Sequence, residues 1–119
     1  MSMDSVMKDL KAINAKYQMF HTMSDDIVAG DAKFLFSAKD NLTSYDMETC
    51  AGSRILEGYH PVFDATCISK LREAGGKLVG KTNMDEFGFG TFSTNSGFEI
   101  PKNRPWYSSI RRLYLLPVS

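Results

Sequence analysis

No run of apolar residues in this sequence approaches the length needed to cross a bilayer. The opening Met1-Ser-Met-Asp-Ser5 leads into no apolar stretch of the kind a secretory signal requires, so neither a membrane span nor a signal peptide is expected. Charge of one sign is also lacking. Lys and Arg together number 14, as do Asp and Glu, and no polybasic run occurs. A direct grip on a phosphate backbone or an anionic membrane is therefore not expected, and a nucleic acid would have to be held by a partner. Cysteine is scarce. Cys50 and Cys67 stand too far apart for any metal-binding spacing and read as reduced cytosolic thiols, with a disulfide between them left open. Repeats and low-complexity segments are absent. What remains is the composition of an ordinary globular chain, with room in 119 residues for one domain or part of a larger one.

Met3, Val6, Met7, Leu10, Ile13 and Tyr17 follow helical spacing, with Ser2 or Asp4 available as a cap. Phe34-Leu-Phe36, preceded by Gly30-Asp31, is short and apolar on both faces, which predicts a buried strand. Residues 42–62 read as irregular. Asp64 is expected to cap a helix, with Phe63 and Ile68 as a hydrophobic staple, Ile68, Leu71 and Ala74 as its buried stripe and Gly75 as its C-terminal cap. Lys77–Gly80 then predicts a second strand, and Thr82 with Asp85 suggests a capping box for one more helical turn. Strand, helix, strand implies a crossover connection in a partly parallel sheet, and such sheets collect sites at the carboxyl ends of their strands. Those ends carry Lys39-Asp-Asn41 and Lys81-Thr-Asn83. Beyond Phe87 the chain turns glycine-rich and polar, as a long loop does.

One string invites a wrong conclusion. Gly75-Gly-Lys-Leu-Val-Gly80-Lys81-Thr82 satisfies the pattern of a phosphate-binding loop. That loop must lie between a strand and a helix so that its amides can curl around a phosphate. Here the first glycine follows a helix, and Lys77-Leu78-Val79 is itself expected to be the strand. A small nucleotide-binding protein is therefore the weakest reading.

Three strings stand in order: Ser37-Ala-Lys39-Asp40-Asn41, then Asp64-Ala-Thr66 with Leu71-Arg-Glu-Ala-Gly75, then Gly80-Lys-Thr-Asn-Met-Asp-Glu-Phe87. Together with Lys102-Asn103 they resemble the amidase signature family, and the last octet is most similar to the A subunits of tRNA-dependent amidotransferases. The resemblance covers about residues 5–105. It implies an α/β fold, of which the N-terminal part would be present: a mixed sheet with flanking helices, incomplete. It also implies amide hydrolysis by a Ser-cisSer-Lys triad, with glutamine as the family substrate and ammonia as the product. B and C subunits would be the partners. The B subunit would bind tRNA and use ATP and Mg²⁺, leaving no cofactor or metal for this chain.

Lys39 matches the family's catalytic lysine. A serine needs a base to become a nucleophile, and a lysine can serve once burial lowers its pKa. Placed directly after an apolar strand, Lys39 is expected to be buried in that way. Asp40 and Asn41 would hold the turn that aims it, while Asn83 and Asp85 would line or support the pocket. His21 and His60 show no partner pattern and read as structural. The family continues from its Lys-Asn-Pro stretch to a Gly-Gly-Ser-Ser-Gly-Gly-Ser loop bearing the relay serine. This sequence instead reads Arg104-Pro-Trp-Tyr-Ser-Ser-Ile-Arg-Arg, so residues 1–105 are expected to form the family segment and 106–119 a tail foreign to it. The tail fits a shifted reading frame, since Arg111-Arg112-Leu113 encoded as CGG-AGG-CTC becomes Gly-Gly-Ser one base later. The expectation is a chain that ends before the catalytic serines and is inactive alone, with apolar surface exposed. Its alternatives are part of a general small-amide amidase or a non-catalytic module that binds the other subunits.

Overall fold

The computed structural model describes residues 3–25 and 31–102. Ser2, Gly30, Asn103 and the tail 106–119, on which several expectations rest, lie outside them. Helix α1 spans Met3–Tyr17, as the apolar spacing predicts, with Met7 fully buried. Asp4 falls inside its first turn, where a carboxylate favours the exposed amides. The helix stops where Gln18 takes a positive φ of 54°, and Asn14 bridges to the next segment by accepting from the Phe20 amide at 2.8 Å.

Strand β1 (Phe20–Met23) has no counterpart in the sequence reading. Strand β2 runs Phe34–Lys39 and strand β3 Gly76–Thr82, so both extend beyond their apolar cores. Helix α2 (Thr66–Glu73) joins them. The three strands form one sheet in the order β1-β3-β2, with β2 parallel to β3 and β1 antiparallel to it. This is the mixed α/β arrangement expected. It also commits the phosphate-loop look-alike to β3 from Gly76 onward, so that string cannot wrap a phosphate.

Helix α2 departs from its predicted details. Its N-cap is Ala65, which makes no side-chain cap bond. Asp64 is occupied elsewhere: Oδ1 accepts from the Tyr45 amide at 3.1 Å and Oδ2 pairs with Arg72 Nε at 3.0 Å. Of the expected stripe only Ile68 is buried, while Leu71 and Ala74 are exposed, and Cys67 packs against the core beside Ile68. The C-terminal end does follow expectation. Gly75, at φ 95°, donates to the Arg72 carbonyl at 2.9 Å, in a conformation that a side chain would strain. The Thr82–Asp85 capping box does not form, because Thr82 ends β3 and Asp85 precedes a 3₁₀ turn (Glu86–Gly88) without capping it.

The core is small: Ala38, Met47, Ile68 and Leu78, flanked by Phe36, Leu42, Ala65 and Cys67. Large apolar side chains stand exposed elsewhere, among them Val62, Phe63, Phe89 and Phe92. No helix among the described residues is long and apolar enough to cross a membrane.

Candidate active site at the carboxyl ends of the parallel strands

The register of β2 against β3 sets the site. Phe36 pairs with Leu78 but Ser37 pairs with Gly80, so the ladder skips Val79. The slip brings Ala38 beside Lys81 and Lys39 beside Thr82. The strands therefore end together, with Lys39, Asp40 and Asn41 on one and Asn83 and Asp85 just beyond the other.

Lys39 is the last residue of β2, and its side chain is exposed. This corrects the expectation of burial. The reason is the alternation of a strand: Ala38 faces the core, so Lys39 points away from it. The chain then turns tightly, with the Leu42 amide donating to the Lys39 carbonyl at 2.9 Å and Asn41 exposed within the turn.

Asp40 is the hub. It is fully buried and bonded through both backbone and side chain. Its amide donates to the Thr82 carbonyl at 3.1 Å, its carbonyl accepts from the Ala51 amide at 3.2 Å, and Oδ2 accepts from the Cys50 amide at 3.1 Å. Oδ1 lies 3.4 Å from Nζ of Lys81, which is itself fully buried and donates to Thr49 Oγ1 at 2.8 Å. Burial raises the Asp40 pKa, and the charges of Lys81 and His21 and the Cys50 amide draw it part of the way back. Burial likewise lowers that of Lys81, against the pull of Asp40. A buried pair of this kind is a poor source of net stability, but it is strict about geometry, because neither charge can lose its partner without a large penalty. Sequence reading places Lys81 at the same strand ends but assigns it no partner or role. The signal is a lysine that directly follows the apolar stretch Leu78-Val-Gly80 of β3.

Asn83 and Asp85 bond to the loop that follows them. Asn83 Oδ1 accepts from Ser96 Oγ at 2.8 Å, and its Nδ2 donates to the Glu99 carbonyl. Asp85 accepts from the Ser93 amide at 3.0 Å through Oδ2 and from the Asn95 amide at 2.8 Å through Oδ1. The glycine-rich loop is thereby pinned from inside. It is pinned again from the 51–54 turn, where Gly97 donates to the Gly52 carbonyl at 2.7 Å and Ser53 Oγ donates to Glu86 at 2.7 Å. Both cysteines are free thiols. Burial, the hydrogen bond to Glu48 and the nearby carboxylates push the Cys50 thiol up to about 12, so it stays protonated.

The family model described as Amidase matches residues 34–111, a span that contains every one of these site residues. The chain belongs to the amidase family. It is 50% identical over 84 residues to the A subunit of the chloroplastic/mitochondrial glutamyl-tRNA(Gln) amidotransferase of Oryza sativa subsp. indica, covering 71% of this chain and 15% of that protein. It is 52% identical over 68 residues to the corresponding A subunit of Lysinibacillus sphaericus, covering 57% of this chain and 14% of that one. The crystal structure of the glutamyl-tRNA(Gln) amidotransferase A subunit from Thermotoga maritima superposes with a TM-score of 0.77 at 31% identity, over 85% of this chain and 24% of that chain. The chain thus spans about 15% of the length of its curated relatives.

Proposed function

We propose that this amidase-family chain carries the lysine base of a glutamine-hydrolysing centre, in the role of an A subunit that supplies ammonia to a tRNA-dependent amidotransferase. The observation that carries the reading is the placement of Lys39. It is the exposed amine at the joint end of two parallel strands, and the residue after it is locked in place by four contacts. An amine so mounted can meet a serine brought to it from outside the described residues. Desolvation by that covering surface would lower its pKa and let it accept the serine proton. By the same reading Asp40 and Asn41 aim Lys39, and Asn83 and Asp85 hold the neighbouring loop. Glutamine is the substrate, B and C subunits are the partners, and tRNA, ATP and Mg²⁺ are handled by the B subunit. The names of the relatives include a chloroplastic or mitochondrial address as well as bacterial proteins, so the compartment follows the host.

The 119 residues contain no Gly-Gly-Ser-Ser-Gly-Gly-Ser string. Ser96 Oγ is engaged by Asn83, and Ser53 Oγ by Glu86. The polypeptide by itself therefore supplies a base without a nucleophile and is expected to release no ammonia. The test is a chimera in which residues 5–102 replace the matching segment of the Thermotoga protein. The chimera should release ammonia from glutamine, and Lys39→Met should lower turnover by a factor on the order of 10⁴–10⁶ with circular dichroism unchanged. A folded Lys39→Met chimera within tenfold of its parent would overturn the reading. Preference for simple amides over glutamine would instead favour a general amidase.

A further inference from the structure

Beside the segment that bonds Asp40, three side chains from two distant stretches converge. His21 comes from the antiparallel edge strand β1, and Glu48 and Cys50 come from the irregular segment before the 51–54 turn. A ring nitrogen of His21, a carboxylate oxygen of Glu48 and the sulfur of Cys50 all lie within 4.8 Å of one another. We propose that His21, Glu48 and Cys50 form a binding site for a single Zn²⁺ ion, with water as the fourth ligand.

The donors fit that ion. Imidazole, thiolate and carboxylate are the three protein ligand types that Zn²⁺ accepts, and a thiolate excludes Mg²⁺ and Ca²⁺ by preference. The backbone supports the convergence. Thr49 turns the other way, its hydroxyl accepting from Lys81, while Glu48 and Cys50 on either side of it share a face, with Sγ donating to Oε1 at 2.9 Å. The Thr49 amide donates to the Tyr59 carbonyl at 3.0 Å, and Glu48 also accepts from the Gly58 amide, so the carboxylate is already oriented. The His21 ring packs against Phe98 at a centroid distance of 4.0 Å, with the planes tilted by 36°. A second observation points to a ligand. His21 Nε2 is shut off from solvent and has no hydrogen-bond partner, a costly state for a buried polar atom. Coordination needs no redox step. The Cys50 S–H bond breaks, its proton leaves to solvent, the hydrogen bond to Glu48 is lost, and the sulfur lone pair goes to the metal.

The site is structural in character. It would clamp β1 onto the loop that holds Asp40, so it stands whether or not Lys39 is a catalytic base. The test titrates Co²⁺ into the 119-residue chain, prepared reduced and metal-free. Binding should saturate at one ion per chain, release one proton, produce near-ultraviolet thiolate-to-cobalt absorption, and be reversed by Zn²⁺. Cys67→Ser should leave the band intact. Cys50→Ser should remove it, and His21→Gln and Glu48→Gln should each weaken binding by about 100-fold or more while the band persists at high Co²⁺. Because Cys50 is buried, the two other variants keep the test valid if Cys50→Ser fails to fold. Absence of saturable binding, a band that vanishes in Cys67→Ser, or unchanged affinity in both His21→Gln and Glu48→Gln would overturn the proposal.

Discussion

Lys39 and Lys81 sit on neighbouring parallel strands, close to the same end of the sheet, and the fold treats them in opposite ways. Lys39 stands opposite Thr82 and projects outward, while Lys81 stands opposite Ala38 and projects into a pocket with no access to solvent. The pleat separates the two positions, and the strands differ as well: β3 is buried on both faces from Leu78 to Thr82, whereas β2 ends in the exposed Lys39. What separates their roles is the company each keeps. Lys81 is held by Asp40 and Thr49, and its charge is spent on fixing the joint between β2, β3 and the segment around Cys50. Lys39 shares the backbone that this joint immobilises, yet its amine is exposed. A catalytic base needs that combination of a rigid mount and an available head.

The largest expected effect tests the joint. Lys81→Met should destabilise the chain by about 3–5 kcal/mol near neutral pH, because it strands the Asp40 carboxylate in the interior. Lys39→Met should change stability by less than about 0.5 kcal/mol. The Lys81 penalty should shrink as the pH is lowered, since the Asp40 pKa is already raised by burial and protonation removes the stranded charge. Adding Asp40→Asn to Lys81→Met should recover part of the loss. Urea unfolding of the four proteins would show it, and equal penalties for Lys39 and Lys81 would dissolve the contrast between them.

Much of this architecture is readable in the sequence, and the failures are informative. The strand at 34–36 announces itself by unbroken apolar character, but its continuation through Ser37, Ala38 and Lys39 does not, because polar residues there are tolerated only by the register with β3. β1 is invisible. Four residues, Phe-His-Thr-Met, carry no period, and they become a strand only because β3 presents an edge. Asp64 has the look of a helix cap, but Arg72 and the Tyr45 amide, too far away in sequence to be seen, compete for it. Of the site residues, Lys39, Asp40, Asn41, Asn83 and Asp85 are found by resemblance, and the structure brings them to one end of the sheet. Lys81 hides within the phosphate-loop look-alike. The His21, Glu48 and Cys50 cluster escapes sequence reading because its members are separated by 27 residues or more on one side, a spacing no local pattern reports.

A smaller effect sharpens the contrast from the loop side. Gly52 has a positive φ of 69°, and a Cβ there would lie 2.5 Å from the Met84 carbonyl oxygen and 3.0 Å from that of Asp85. Gly52→Ala should therefore cost about 1–3 kcal/mol and loosen the 84–97 loop, seen as faster amide exchange at Ser93 and Asn95. If the buried joint is rigid on its own, exchange at Asp40 should stay unchanged in that variant.

The effect with the smallest expression near neutral pH is a slope at high pH. Cys50 has its pKa raised from 9.0 to about 12 in the fold. The unfolded chain then loses a proton in that window that the folded chain keeps. Stability contributed by the protonated thiol is full below pH 9 and is lost as the pH rises toward 12, by up to about 1.4 kcal/mol per pH unit. Denaturant titrations between pH 8 and 11 with a chelator present should show this slope in the parent and not in Cys50→Ala. Equal slopes would mean that the Cys50 thiol is not held protonated beside Asp40.

The most direct measurement of the account is competitive lysine labelling of the native chain, by reductive methylation read out peptide by peptide in a mass spectrometer. Lys39 should react at the rate of an exposed surface lysine such as Lys70, and Lys81 should remain unmodified until the chain is denatured. Labelling of Lys81 at the rate of Lys39, or protection of both, would contradict the division between an available amine and a buried anchor on which the proposed site rests.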